Sequence, residues 1–257
     1  MTGAVLRVEQ RGPVRWLHLS RPAQRNALNG EIAEALARQV EDIEADDRTS
    51  VVVVAGDGPS FCAGGDFRHF LRLHEEGGVV PFLAELSRCF TMIEASSKVW
   101  VAALHGHAIA GGLELALVCD VVIAAEGTLI GDGHLNNALL PGAGSSVRLE
   151  RAVGKGTARW LHLTGDTVPA EQLKDTGWLH TVVPAEYLHE EADRVARHLA
   201  RQNLPTQRRM KQLLVAVASV DTGAGLAREL EFFGDNWASE NVAGALRGFL
   251  DRRALSS

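Results

Sequence analysis

The chain has 257 residues, 46% of them hydrophobic and 23% charged, the balance of a globular protein with room for one large domain and a small appendage. A formal net charge of −6 argues against nucleic acid as the partner, because a phosphate backbone requires a basic face. No segment reaches the ~18–20 uninterrupted apolar residues of a membrane span, and the opening MTGAVLRVEQRG carries no apolar run of a secretory signal.

In chain order, AVLRVEQ and VRWLHLS alternate around Arg11-Gly12-Pro13 and predict a hairpin. RPAQRNALNG reads as a loop. Ile32, Leu36, Val40 and Ile43 recur at helical spacing and predict an amphipathic helix over 30–46. SVVVVAG is a continuous β-branched run, the pattern of a strand buried on both faces. KVWVAALHG (98–106) and DVVIAAEG (120–127) predict two more strands, with the short helical AGGLELALVC between them. The stretch between Asp66 and Ser97 shows no readable pattern. From about 155 the chain reads mostly helical, with one strand at LHTVVP. Strands alternating with helices, followed by helices, predict an α/β core over residues 1–200 and a helical region over 201–257.

Several site motifs fail on inspection. GHAIAGGL spaces Gly106 and Gly111 as a phosphate loop does, but Gly112 stands where lysine is needed. No G-x-G-x-x-G follows a strand, G-x-S-x-G is absent, and HEEGG and HEEAD lack the second histidine of a zinc helix. Cys62, Cys89 and Cys119 have no metal-ligand spacing and fit reduced thiols of a cytoplasmic protein. Two glycine turns remain, each directly after a strand: SFCAGGDF (60–67) and HGHAIAGGLE (105–114). Such junctions expose backbone N–H groups. If the two faced each other, they would hold an oxyanion between two donors, as acyl chemistry requires. Spacing alone leaves open whether they do, or are only tight turns that need glycine.

RPAQRNALN, FCAGGD, HGHAIAGGLELALVCD, LLPGAGSSVRLERAVG, LTGDTVPAEQLKDTGWLHTVVP and GFLDRR, taken in this order, resemble the crotonase (enoyl-CoA hydratase/isomerase) superfamily over nearly the whole chain. The resemblance implies a spiral of ββα units with a helical C-terminal region that builds homotrimers or hexamers. It implies a CoA thioester substrate, with no cofactor beyond the CoA of that substrate and no metal. It assigns the oxyanion hole to the N–H groups of Ala63 and Gly111. It lays the CoA along Arg25, Asn26, Ala27 and Leu28, with Asp66 and Phe67 near the thioester arm and Lys211, Phe249 and Arg252 as C-terminal contacts. A solvated helix face is the plain alternative for Lys211, Arg252 and Arg253.

The family's hydratases use two glutamates, and Glu114 matches the first. An acid in the apolar run Leu113–Leu117 is costly to bury without partners, and burial raises its pKa toward that of a useful base. The second position, in GDGHLNNALLPGAGSS, is His134. If the segment is extended, Asp132, His134 and Asn136 share one side, and Asp132 orients the imidazole. Three readings follow: an enoyl-CoA hydratase or isomerase in which Glu114 works with His134; a crotonase-fold hydrolase that cleaves a carbon–carbon bond of a β-diketone; or a non-catalytic acyl-CoA-binding protein, against which Glu114 speaks.

Overall fold

The computed structural model describes residues 4–254. Its first element pair is the expected hairpin: β1 (Leu6–Arg11) and β2 (Val14–Leu19) run antiparallel, with Leu6 opposite Leu19. Helix α1 (Gly30–Ala45) starts where the Asn29 side chain accepts the Ile32 N–H, a standard N-cap, and buries Ile32, Leu36, Val40 and Ile43. β3 (Val51–Gly56) follows, parallel to β2.

The stretch without a readable pattern holds two helices, α2 (Phe67–Glu76) and α3 (Val79–Glu94). α3 buries Phe82, Leu86, Cys89, Phe90 and Ile93, one face of a helix. β4 (Val99–Leu104), β5 (His107–Ile109), α4 (Gly111–Leu117), β6 (Val121–Ala125) and β7 (Leu129–Gly131) come next. Then follow α5 (Ser145–Val153), α6 (Lys155–Thr164), β8 (Thr167–Pro169), β9 (Leu179–Val183) and α7 (Leu188–Ala200).

Six strands form one sheet in the order β1-β2-β3-β4-β6-β9, parallel except for the first hairpin. A second sheet, β5-β7-β8, was not legible in the sequence because its strands are only three residues long. The valine run of β3 is explained by its two covers. Val52 and Val54 pack among α1 and α3 side chains, whereas Val51 and Val53 pack against Leu188, Ala192 and Val195 of α7. A parallel strand covered on both faces has no reason to alternate in polarity.

The chain divides into two units, Met1–Ala200 and Arg201–Ser257. The second contains α8 (Leu204–Val217), α9 (Thr222–Ser239) and α10 (Val242–Ala254). α8 is capped by Asn203 and tied to α9 where Thr206 and Arg209 meet Asn236. Among the described residues no helix is long and apolar enough to cross a membrane.

Candidate active site

The chain segments leaving β3 and β4 run side by side. Phe61 N–H donates to His105 O at 2.8 Å, Cys62 N–H to His107 O at 2.9 Å, and Ile109 N–H returns to Cys62 O at 3.1 Å. The two glycine turns therefore face each other. Gly112 is a requirement of this approach, since a methyl group there would stand 2.2 Å from Cys62 O.

The donors at these turns differ from the sequence assignment at one position. Ala63 N–H is engaged, donating to Arg25 O at 3.0 Å. Leu28 pairs with Gly65 in a parallel bridge: Leu28 N–H donates to Gly64 O, and Asp66 N–H to Leu28 O. The residue between those two contacts turns its own N–H away from the partner strand. Gly65 N–H thus points away from Leu28, and among the described residues it meets no acceptor. Gly111 N–H, at the first position of α4, is one of the orphan donors of a helix start and has no acceptor either. The free pair is Gly65 and Gly111, with Ala63 displaced by its bond to Arg25. Gly65 borders a cavity of about 80 Å³ together with Ala63, Phe67, Phe70, Ile109, Ala110, Gly133, His134, Asn137 and Leu139.

Glu114 lies in the first turn of α4 and is buried. Its Oε1 accepts N–H bonds from Ala143 at 2.8 Å and Ser145 at 3.1 Å. Gly144, at φ 117°, bends the chain so that the N–H groups on either side converge on one oxygen. Oε2 takes no hydrogen bond among the described residues. Burial raises the Glu114 pKa, outweighing the two N–H bonds and the neighbouring His134 that act to lower it.

His134 opens a short 3-10 turn, His134–Asn137, rather than lying in an extended segment. The shared side of Asp132, His134 and Asn136 is accordingly broken: Asn136 Nδ2 donates to Gly165 O at 2.7 Å, away from the imidazole. Asp132 stays with His134, its Oδ1 3.1 Å from Nδ1. The alignment falls short of a regular hydrogen bond. Ser145 Oγ donates to the same Oδ1 at 2.6 Å. Asp132 is buried, which alone would raise its pKa. The approach of His134, the bond from Ser145 and the imidazole charges outweigh it, and the carboxyl is held below its usual range. For His134 burial works downward, but Asp132, and beyond it Glu114, hold the pKa above 6.5.

The proposed CoA contacts divide by exposure. Asn26 is buried, and its side chain binds Asp57 O, Ser60 O and Arg21 N–H, so only its backbone is left for a ligand. Leu28 is buried as well, whereas Arg25 is exposed and Ala27 partly so. Asp66 caps α2, accepting from Arg68 and His69 N–H, and pairs with Arg21 at 2.8 Å. Phe67 is exposed at the cavity. Lys211, Phe249 and Arg252 lie on α8 and α10 of the second unit, Lys211 buried and the other two exposed. Among the described residues no group of three or more His, Cys, Asp or Glu side chains is placed to hold a metal ion.

The enoyl-CoA hydratase/isomerase family model matches residues 9–256. The chain belongs to this family. It is 33% identical over 237 residues to the 2,3-dehydroadipyl-CoA hydratase of Escherichia coli K12, covering 92% of each chain. A putative enoyl-CoA hydratase of Thermus thermophilus is 34% identical over 249 residues, 95% of this chain and 97% of that one. The crystal structure of an enoyl-CoA hydratase from Bacillus anthracis superposes with a TM-score of 0.91 at 30% identity, covering 96% of both chains. The fold is therefore that of the crotonases, α/β with a helical C-terminal region.

Within this crotonase fold, three groups at the site are not legible in the sequence. Gly65 was hidden because which N–H of a glycine turn is free depends on where a distant strand bonds. Ser145 carried a faint signal as the first helical residue after a glycine turn. His162, on α6, stands 3.4 Å from Asp132 Oδ1 through its Nδ1 and carried none, since only tertiary packing brings it there.

Proposed function

We propose that the protein adds water across the double bond of a 2-enoyl-CoA thioester. The observation that carries this reading is the pair of free N–H groups, Gly65 and Gly111, on turns that also carry Glu114 and adjoin His134. Both donors would take the thioester carbonyl oxygen as it gains enolate charge, without reorganising at that moment. Glu114, in its carboxylate form and presenting Oε2, would accept a proton from water as its oxygen bonds to C3. His134, with Nδ1 against Asp132, has Nε2 left to deliver a proton to C2. A carboxylate and an imidazolium differ in charge, so one group serves as base while the other serves as acid. Moving the double bond between the C2–C3 and C3–C4 positions takes a proton from one of C2 and C4 and returns one to the other without water, and isomerisation is the second activity this arrangement supports.

Arg25, the backbone of Asn26–Leu28, and Phe67 beside the cavity are the proposed CoA contacts. Lys211, Phe249 and Arg252 enter on the family resemblance alone. The Asp132–His134 pair is the one feature that favours the alternative, hydrolysis of a β-diketone by an imidazole-activated water.

The test is turnover of crotonyl-CoA, longer enoyl-CoAs and cyclic β-diketones, with products identified by mass spectrometry. Glu114→Gln should abolish hydration and leave CoA-ester binding intact by calorimetry. His134→Ala should lower hydration ~100-fold or more, the usual size of general acid–base catalysis. Diketone cleavage without any enoyl-CoA hydration would overturn the hydratase reading, as would undiminished hydration by Glu114→Gln.

A further inference from the structure

Asp132 Oδ1 is a crowded atom. Ser145 Oγ reaches it at 2.6 Å, His134 Nδ1 at 3.1 Å and His162 Nδ1 at 3.4 Å. The three groups arrive from three separate elements: the start of α5, the turn after β7, and α6. Asp132 is almost wholly buried, so this carboxylate is not shared with solvent. A bare ring nitrogen would repel a carboxylate at these distances, so each imidazole turns a protonated nitrogen toward it, although the His134 contact falls short of a regular hydrogen bond. For neutral His162 that places its single proton on Nδ1; the opposite nitrogen, Nε2, is buried without a partner. His162 does not border the cavity that His134 borders. Among the described residues its charged contact with the site is the one to Asp132.

We propose that His162 is a positioning residue for proton transfer by His134: it fixes the Asp132 carboxylate under the catalytic imidazole and takes a share of its negative charge. The proposal rests on the hydratase reading, in which His134 is the second acid/base. The energetic sense follows from sharing. A carboxylate that serves two imidazoles holds a proton on either one less firmly than a carboxylate that serves one. This holds whether His162 is neutral and donates a hydrogen bond or is itself charged, so the sign does not depend on its state. The ionisable groups facing His134 are Asp132, Glu114 from α4 and, across Asp132, His162 from α6; α5 contributes only the neutral Ser145 hydroxyl. Ser145 also links the two halves of the site, because its N–H holds Glu114 while its Oγ holds Asp132.

Three substitutions separate these roles. His162→Ala and His162→Leu both remove the donor, and leucine keeps most of the side-chain volume should alanine fail to fold. His162→Asn places an amide N–H near the position of Nδ1 and restores a donor that cannot ionise. The first readout is the proton NMR titration of the His134 ring, assigned by its loss in His134→Ala. The midpoint should rise by about half a pH unit or more in the Ala and Leu variants, and return most of the way in Asn. The second readout is the pH dependence of enoyl-CoA hydration. Its alkaline limb should move up with the same midpoint while KM stays unchanged, since His162 does not border the cavity. A His134 midpoint that stays put or moves down in both the Ala and Leu variants would overturn the proposal. If the wild-type protein does not hydrate enoyl-CoAs, or His134→Ala is fully active, it is the hydratase reading that falls, while the NMR titration still judges the coupling between His162 and His134.

Discussion

Ala110 carries backbone strain at the heart of the site. Its φ of 50° and ψ of −117° lie in a region that side chains avoid, one residue before the Gly111 donor. Two hydrogen bonds hold it there: its N–H donates to Gly131 O at 3.0 Å, and its carbonyl accepts from Glu114 N–H at 2.9 Å. Strain of this kind costs about 1–3 kcal/mol, whereas a glycine at the same place loses about 0.4–1 kcal/mol through the entropy of the unfolded chain. The first term is larger, so Ala110→Gly should stabilise the fold by about 1 kcal/mol, a rise of roughly 2–4 °C in Tm by calorimetry. A fall in Tm would show that packing of the Ala110 methyl outweighs the strain. Gly111 is suited to a sharper test. It occupies the first position of a helix, where proline is tolerated, and the nearest atom to an added Cβ is the flexible end of Leu28. Gly111→Pro deletes that N–H but also strains the turn, because proline restricts the backbone of the preceding Ala110, here at ψ −117°. Loss of one such donor should lower kcat by ~100–1000-fold, about 3–4 kcal/mol. Unchanged turnover by a variant with a normal melting curve would place the carbonyl elsewhere.

On the scale of elements, the contact between β2 and α7 makes a pH-sensitive seam remote from the chemistry. His18 on β2 is buried and stacks with Trp16 and with His189 of α7, and neither of its ring nitrogens has a hydrogen-bond partner. Burial, reinforced by Arg7, lowers the His18 pKa to about 4, and burial lowers that of His189 too. Below pH 6.5 the unfolded chain takes up a proton that folded His18 refuses until about pH 4. Stability is thus complete above 6.5 and is lost as pH falls through that window, on the order of 3 kcal/mol for His18. Urea unfolding at pH 7 and pH 4.5 should show this loss, and His18→Phe should flatten it; an equal loss in both proteins would assign the pH dependence to other groups. The same seam shows what the sequence can and cannot disclose. The Val51–Val54 run identified a strand covered on both faces, and local periodicity located α1, because such patterns are written within ten residues. α3 is equally periodic but harder to read, since Phe82, Leu86, Phe90 and Ile93 are interrupted by polar residues on its open face. β5, β7 and β8 have no legible pattern at three residues each. At the site, Glu114 and His134 could be read from glycine turns nearby in sequence, whereas Gly65 and His162 acquire their roles from Leu28 and Asp132, contacts that no local window contains.

For the molecule as a whole, the helical unit 201–257 poses a problem of unburied surface. Leu214, Leu226, Leu230, Phe233, Trp237, Leu246, Phe249 and Leu250 are each at least half exposed. An apolar groove of about 450 Å³ runs between α8 and α9, bordered by Met210, Leu213, Leu214, Val217, Phe232 and Phe233. Three helices with so few buried side chains have little core of their own, and contiguous apolar surface of this kind marks an interaction face. Charge does not compensate: Phe233 and Trp237 stack with ring centroids 5.9 Å apart on one exposed helix face. Each fully buried leucine or phenylalanine side chain would contribute roughly 1.5–3 kcal/mol. Covering four of them per copy would supply about 6–12 kcal/mol before the cost of association, the scale on which assembly at micromolar concentration is decided. The expected occupant is a second copy of this chain, in the homotrimer or hexamer that the resemblance implies. Light scattering should give a mass near three or six times 27.6 kDa. Phe233→Glu and Leu230→Glu place a charge in the groove or on its exposed flank, and should shift the mass toward one chain while leaving far-ultraviolet circular dichroism unchanged. A wild-type protein that runs as a single chain at micromolar concentration would show that this face is not a contact between copies.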